Sequence, residues 1–219
     1  MTDRVLVVGS DAESYLQGQL SQDVAGMVAG DARWSFVLAP NGHIDAFVRV
    51  HRVGAEEFAL DVESGFGDQL LARLTRFLLR TKAEVTLVPG GGEAFAPDDR
   101  TRIELGIPSM ATDIDDRTVP AETGWVTDAV SFTKGCYTGQ ELVARMDSRV
   151  AEPPRRLGRI AATTPLEPGA TVVVAGAEVG VVTSAAGDIG LGYLKRGAAL
   201  EGDAEAGGAP VRLRGPVGA

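Results

Sequence analysis

Cysteine is nearly absent: the 219 residues contain one, Cys136, so no intrachain disulfide can form. One thiol also cannot hold an iron–sulfur cluster by itself, because such clusters take about four protein ligands. Histidine is scarce as well. His43 and His51 are the only two, and their spacing matches no zinc-ligand pattern, so no metal site is expected. Aromatic residues make up 5% of the chain, which leaves the core to aliphatic side chains. Long apolar runs are missing. Val5-Leu6-Val7-Val8 is too short for a signal-peptide core or a membrane span, so a cytoplasmic protein with no membrane association is expected. Positive charge is in deficit: 21 Lys and Arg face 30 Asp and Glu, for a net charge of −9. Such a surface repels phosphate backbones and argues against general nucleic-acid binding. A few converging cations would still suffice for an anionic ligand.

What is present is an ordinary globular composition, 44% hydrophobic and 23% charged, with 28 glycines that imply many turns. The length suffices for one large domain or two to three small ones with a real core. Arg4–Val8 reads as a strand. Ser10 and Glu13 have capping-box spacing, so a helix is expected through Tyr15, Leu16 and Leu20. Trp34–Leu38 and Ile44–Val50 flank Pro40-Asn41-Gly42, the chemistry of a hairpin turn. Glu57–Val62 and Glu84–Val88 read as strands. Between them Phe66, Leu70, Leu71, Leu74, Phe77 and Leu78 recur at helical spacing, with Arg73, Arg76 and Arg80 as a solvated basic face. Pro89–Gly92 and Ala96–Asp99 read as a flexible link, and Arg102–Leu105 opens a new unit. After Pro153-Pro154 the segments Leu157–Ala161, Thr171–Val174, Glu178–Thr183 and Val211–Leu213 have the pattern of a small barrel or sandwich, and Glu201–Ala209 reads as mobile.

The chemistry concentrates in Lys134-Gly135-Cys136-Tyr137-Thr138-Gly139-Gln140-Glu141-Leu142. Thr138 and Glu141 have capping-box spacing, which predicts a helix from about Gly139 to Met146. Cys136 then sits just before a helix N-terminus, where unpaired amides and the macrodipole favour negative charge, and Lys134 adds a second positive influence. An exposed thiol in such surroundings is a reactive one. Gly135 and Gly139 allow a tight turn and close approach to a ligand. A small buried cysteine beside a merely capping Thr138 and Glu141 is the structural alternative.

Lys134–Glu141 resembles the K-G-C-[FY]-x-G-Q-E motif of the YgfZ family. Further stretches resemble the superfamily that also contains the glycine-cleavage T-protein. Asp11–Val24 is similar to its first helix and turn, Leu38–Asp45 to the L-x-P-x-G-[RK]-I hairpin, Arg102–Gly106 through Asp113–Glu122 to the R-[IL]-E-x-G and P-x-E segments, and Gly180–Ser184 to the G-x-V-T-S hairpin of the C-terminal barrel. The resemblance implies an α+β fold of two ferredoxin-like lobes plus a C-terminal β-barrel around a central cavity. The first lobe would take residues 1–50 and 102–152, a trimmed second lobe 51–101, and the barrel 153–219.

The resemblance also implies the function. It points to a tetrahydrofolate-binding protein that assists assembly or repair of iron–sulfur clusters in client enzymes, met transiently, with the chain itself a monomer. Glu122 matches the pterin-holding glutamate of P-x-E, and a carboxylate suits the 2-aminopyrimidinone edge because it accepts two parallel N–H bonds. Tyr137, Gly139 and Gln140 would line the folate. Arg149, Arg155 and Arg156 follow the motif helix, and Arg149 and Arg156 are assigned to the glutamate tail. Cys136, Lys134 and Asp45 would carry the chemistry. The T-protein's paired acids are reduced here to Asp45 beside Ala46, and His43 stands at the family's basic position. A folate-dependent aminomethyltransferase or other one-carbon enzyme acting through Asp45 is the first alternative. A non-catalytic scaffold with an inert, buried Cys136 is the second.

Overall fold

The computed structural model describes residues 1–148 and 152–218. The chain divides into two compact units, Met1–Phe95 with Val126–Arg145, and Ala96–Trp125 with Met146–Ala219. Along the chain lie β1 (Thr2–Val8), α1 (Ala12–Gln19), β2 (Ala32–Leu38), β3 (Ile44–Gly54), β4 (Glu57–Glu63), α2 (Gly67–Thr75) and β5 (Glu84–Val88). There follow α3 (Asp99–Leu105), α4 (Pro120–Thr123), α5 (Val126–Ala129), α6 (Gln140–Ser148) and strands β6 (Arg155–Ala162), β7 (Thr171–Val174), β8 (Ala177–Ala186), β9 (Ile189–Lys195), β10 (Glu201–Ala206) and β11 (Ala209–Pro216).

In the first unit one antiparallel sheet runs β2-β3-β4-β1-β5, drawing strands from both sides of residue 50. Side chains alternate across a strand. Val5 and Val7, Ala46, Val48 and Val50, and Phe58, Leu60 and Val62 therefore share a core with Tyr15 and Leu16 of α1 and Leu70 and Leu74 of α2. Each fully buried Val, Leu or Phe contributes about 2 kcal/mol. The expected box at Ser10 does not form. Asp11 is the N-cap residue, its carboxylate accepts from the Lys82 N–H at 2.8 Å, and Glu13 pairs with Arg52. α2 stops at Thr75, short of the periodic Phe77 and Leu78, and Leu79 beyond them is exposed. Arg73 is not on a solvated face: its side chain is 10% exposed and bridges Asp45 (3.0 Å), Gln19 (3.2 Å) and the Leu38 carbonyl (2.9 Å).

The glycine-rich link after β5 is tied down rather than loose. Gly90 N–H donates to Asp3 at 2.9 Å, Gly92 N–H to the Thr2 carbonyl at 3.1 Å, and Glu93 N–H to Asp61 at 2.9 Å. A Cβ on Gly92 would meet Thr2 Oγ1 at 2.6 Å, so the closeness needs glycine. Asp61 is fully buried in β4. Burial pushes its pKa up, but Arg4 at 2.7 and 2.8 Å, His51 and the Glu93 N–H outweigh that and hold it at about 2. The folded value lies below the unfolded one of about 3.9, so the stabilisation is present above about pH 4 and is lost as pH falls toward 2. It amounts to about 2 kcal/mol. Denaturant unfolding from about pH 6 down should show this acid-sensitive component in the wild type, and its absence in Asp61→Asn.

The second unit is built on a closed six-stranded barrel, ordered β10-β11-β6-β9-β8-β7. Glu201–Ala209 is not mobile: Glu201–Ala206 is β10, and Gly207-Gly208 turns the chain into β11. β9 has no counterpart in the sequence reading, because Ile189-Gly190-Leu191-Gly192 lacks the β-branched signature. Its glycines reflect close strand approach, since a Cβ on Gly192 would lie 2.6 Å from the Val181 carbonyl. Asp113 joins the helical part to the barrel. It is buried and accepts from Ser109 N–H (2.9 Å), Ser184 Oγ (2.8 Å to each oxygen), Thr183 Oγ1 and Arg102 (3.2 Å). Arg102 also donates to the Ile107 carbonyl at 2.8 Å. The arginine of R-I-E and the T-S pair of the barrel hairpin thus meet on one carboxylate.

Candidate functional site

In the first unit the motif Lys134–Leu142 seats α6 on the β2–β3 hairpin. Gly139 has φ +80°, and a Cβ there would lie 2.6 Å from the Ala39 carbonyl and 2.7 Å from Leu38 Cβ. Gly42, at φ +83°, faces Leu142 in the same way. Both glycines are therefore explained by close packing of helix on hairpin. Gly139 meets the hairpin, while Gly135 has open space around it. α6 starts at Gln140, where the sequence places it. Gln140 turns back so that its Oε1 accepts from the Tyr137 N–H at 3.0 Å.

Cys136 is exposed, so the buried-thiol alternative does not hold. It lines a hollow of about 400 Å³ with Lys134, Gly135, Tyr137, Gln140 and Glu141. Phe132 and Ser131 border it too, and no motif singled them out. Lys134 is engaged elsewhere than at the thiol. Its ammonium donates to the carbonyls of Leu20 (2.8 Å) and Gln22 (2.9 Å) and lies 5.2 Å from the Tyr137 ring centre. Burial lowers its pKa to about 8, against the pull of Asp23. Lys134 thus ties the motif loop to the end of α1. Burial raises the Tyr137 phenol to about 12, which keeps it a neutral donor at physiological pH.

Asp45 does not line this hollow. It sits on β3 in an ion pair with Arg73 at 3.0 Å, with the Gln69 amide donating to its carbonyl at 3.0 Å. His43 stays within the turn, 3.3 Å from the Asn41 amide nitrogen.

In the second unit Glu122 is 4% exposed, on α4 behind Pro120 at the helix start. Its Oε2 accepts from the Val119 N–H (3.3 Å) and from Arg155 Nε (3.2 Å). Burial raises its pKa, opposed by Arg155 and the Val119 N–H. Arg155 reaches Asp115 at 3.1 Å and Thr118 at 3.0 Å and stacks 4.1 Å from the centre of the buried Tyr193 ring. Among the described arginines after the motif helix, Arg155 is thus the one that holds Glu122. Arg156 lies on β6 with Glu152 at 3.6 Å. Arg149 lies outside the described residues. Among the described residues no cluster of metal-ligating side chains occurs, and no helix is long and apolar enough to cross a membrane.

Glu122 keeps acceptor capacity of its own. A carboxylate offers about four acceptor positions, and both internal contacts fall on Oε2. That leaves acceptor capacity for an N–H donor edge.

The sequence model of the CAF17 C-terminal β-barrel domain matches residues 155–218, which is the barrel. An uncharacterized protein of Haemophilus influenzae is 28% identical over 184 residues, 66% of this chain and 66% of that protein. The human mitochondrial iron–sulfur cluster assembly factor IBA57 is 36% identical over 135 residues, 58% of this chain and 38% of IBA57. The tRNA-modifying protein YgfZ of Yersinia enterocolitica is 46% identical over 50 residues, 22% of this chain and 15% of that protein. The chain thus spans less than two thirds of the length of these curated relatives. Among solved structures, the glycine-cleavage aminomethyltransferase T of Bartonella henselae superposes with a TM-score of 0.83. The superposition covers 100% of this chain and 84% of that one at 17% identity, a likeness of fold.

Proposed function

We propose that the chain is a member of the YgfZ/CAF17 family, on its likeness to the CAF17 barrel model, to IBA57 and to YgfZ, and that it binds tetrahydrofolate and supports the assembly or repair of iron–sulfur clusters in client enzymes. The single observation that carries this reading is the exposed Cys136 on a hollow of about 400 Å³, within the family's motif. A relative named as an iron–sulfur cluster assembly factor supports the cluster role. Cys136 acts as the sulfur that meets the client's iron, taking the place of a client thiolate that leaves with a proton. On ligation it gives up its proton, as thiol ligands do. Tyr137 and Gln140 line the hollow, Gly139 seats the motif on the hairpin, and Lys134 holds the loop. Glu122 recognises the pterin edge, with Arg155 keeping its carboxylate oriented. The protein works as a cytoplasmic monomer that meets its clients transiently.

Tetrahydrofolate at about 100 times its dissociation constant should stabilise the protein by about 2.7 kcal/mol, read as a melting-temperature rise of several degrees. Glu122→Gln should weaken that shift, because an amide presents an N–H donor where the pterin also donates. A melting temperature that does not respond to the folate defeats the binding claim.

The aminomethyltransferase alternative would act through Asp45, whose carboxylate here balances Arg73. We expect Asp45→Asn to retain support of cluster enzymes and to lose about 1–2 kcal/mol of stability, from the weakened pair with a mostly buried guanidinium. Complementation of cluster-enzyme activity together with urea unfolding checks both halves. Loss of function at unchanged stability would favour the transferase.

A further inference from the structure

We infer that the loop from Arg76 to Lys82, which leaves α2 in the first unit, docks an acidic, partly apolar segment of a partner protein. The stretch from residue 69 to 83 holds Arg73, Arg76, Arg80 and Lys82 and no carboxylate, in a chain where 30 acids face 21 bases. Arg73 is committed to Asp45. Arg76, Arg80 and Lys82 are exposed, and among the described residues their side chains form no ion pair. Arg33 and Arg49 form none either, so the lack of a partner is not what sets the loop apart. Its cations are contiguous with exposed apolar surface. Leu79 is 87% exposed and Phe77 44%. The guanidinium carbons of Arg73 and Arg76 lie 4.8 and 5.8 Å from the centre of the Phe77 ring. Cationic and apolar surface thus alternate within one loop.

The backbone fixes the loop's shape. The Arg76 N–H donates to the Ala72 carbonyl at 3.2 Å, the Leu78 N–H to the Thr75 carbonyl at 3.2 Å, and the Thr81 N–H to the Leu78 carbonyl at 3.1 Å. At the base Asp11 holds Lys82 twice: its N–H donates to the Lys82 carbonyl at 3.2 Å, and its carboxylate accepts the Lys82 N–H at 2.8 Å. Leu78 packs against the core, while Leu79 and Arg80 stand exposed. Arg80 has φ +63°, which glycine adopts freely and a residue with a Cβ does not. A strained cation at an exposed tip points to a use outside the fold. A loop already held in shape loses little freedom when it binds. Charge selects the partner: carboxylates answer the cations, and apolar side chains cover Phe77 and Leu79. The net charge of −9 repels an extended anionic surface such as a membrane, whereas a short segment meets the loop alone. The inference does not rest on the folate reading, because neither folate nor cluster takes part in it.

Fluorescence anisotropy of a labelled peptide of aspartate, glutamate and leucine, titrated with the full chain, tests the loop. One peptide should bind per chain, more weakly as salt rises from about 50 to about 300 mM. Arg76→Gln/Arg80→Gln should weaken binding about tenfold, by loss of charge-assisted bonds, and Leu79→Ser about fivefold, by loss of apolar contact. Arg212→Gln/Arg214→Gln on the barrel should leave it unchanged. The substituted positions are exposed, and thermal unfolding checks that each variant folds. Arg80→Gly should weaken binding and yet raise the melting temperature by a few degrees, because the strain leaves with the cation. Loss of both would mean that Arg80 serves the fold, and overturns the inference. So does the absence of peptide binding, an equal loss in the two double variants, or binding to phosphatidylserine vesicles in place of the peptide. Self-association of the wild type in sedimentation, abolished by Arg76→Gln/Arg80→Gln, would assign the loop to a second copy and overturn it as well.

Discussion

Cys136→Ala should reduce support of iron–sulfur enzymes to the level of cells lacking the protein, while leaving its stability within about 0.5 kcal/mol of the wild type. The separation of the two effects is what makes the substitution informative. Cys136 is exposed, so removing its sulfur leaves no buried cavity to collapse. Gly139 and Lys134, by contrast, hold the loop through the hairpin and the end of α1, and their replacement would disturb function by unfolding the motif. The measurements are cluster-enzyme activity in complemented cells under oxidative stress and thermal unfolding of the purified variant. Wild-type protein should also show one thiol reacting with an alkylating agent at native conditions. Full complementation by the alanine variant would reduce the motif to a helix-docking device.

Asp113→Ala should cost about 3–5 kcal/mol, the largest stability loss we expect of any single side chain here. The carboxylate is buried and gathers Arg102, Ser109, Thr183 and Ser184. Deleting it takes the shared acceptor from two hydroxyls and a backbone N–H at one place, and leaves the 14%-exposed Arg102 with only Asp99 at 2.6 Å and the Ile107 carbonyl. Asp113→Asn keeps the volume but replaces an acceptor oxygen with a donor, and should retain only part of the loss. The second unit carries Trp125, whose indole N–H donates to the Gly106 carbonyl at 2.7 Å. Its fluorescence, followed through urea unfolding in a Trp34→Phe background, reports on this unit. A transition unchanged in midpoint would mean that the polar cluster is dispensable.

Much of the secondary structure was legible because its signals are local. Val5-Leu6-Val7-Val8, Glu57–Val62 and Glu84–Val88 alternate across a sheet, Pro40-Asn41-Gly42 turns a hairpin, and α6 begins at its foreseen place. β9 escaped notice because its glycines serve neighbouring strands. The basic face on α2 misled because helical periodicity says which residues share a side, and not that Asp45 on another strand stands opposite Arg73. Arg155 could be named only as one of three arginines, since its pairing with Glu122 spans 33 residues.

By itself the sequence determined the class of the protein and its lone thiol. Composition, charge and short-range periodicity act within a few residues, and the motif around Cys136 is contiguous, so both survive in one dimension. Tertiary structure alone decided what each charged side chain does: that Lys134 fastens a loop, that Asp113 joins helix to barrel, and that Arg155 holds Glu122. The physical reason is that an ionic side chain's role depends on its partner and its burial. Both are set by residues far away in the chain, brought near only when the sheet and the barrel close.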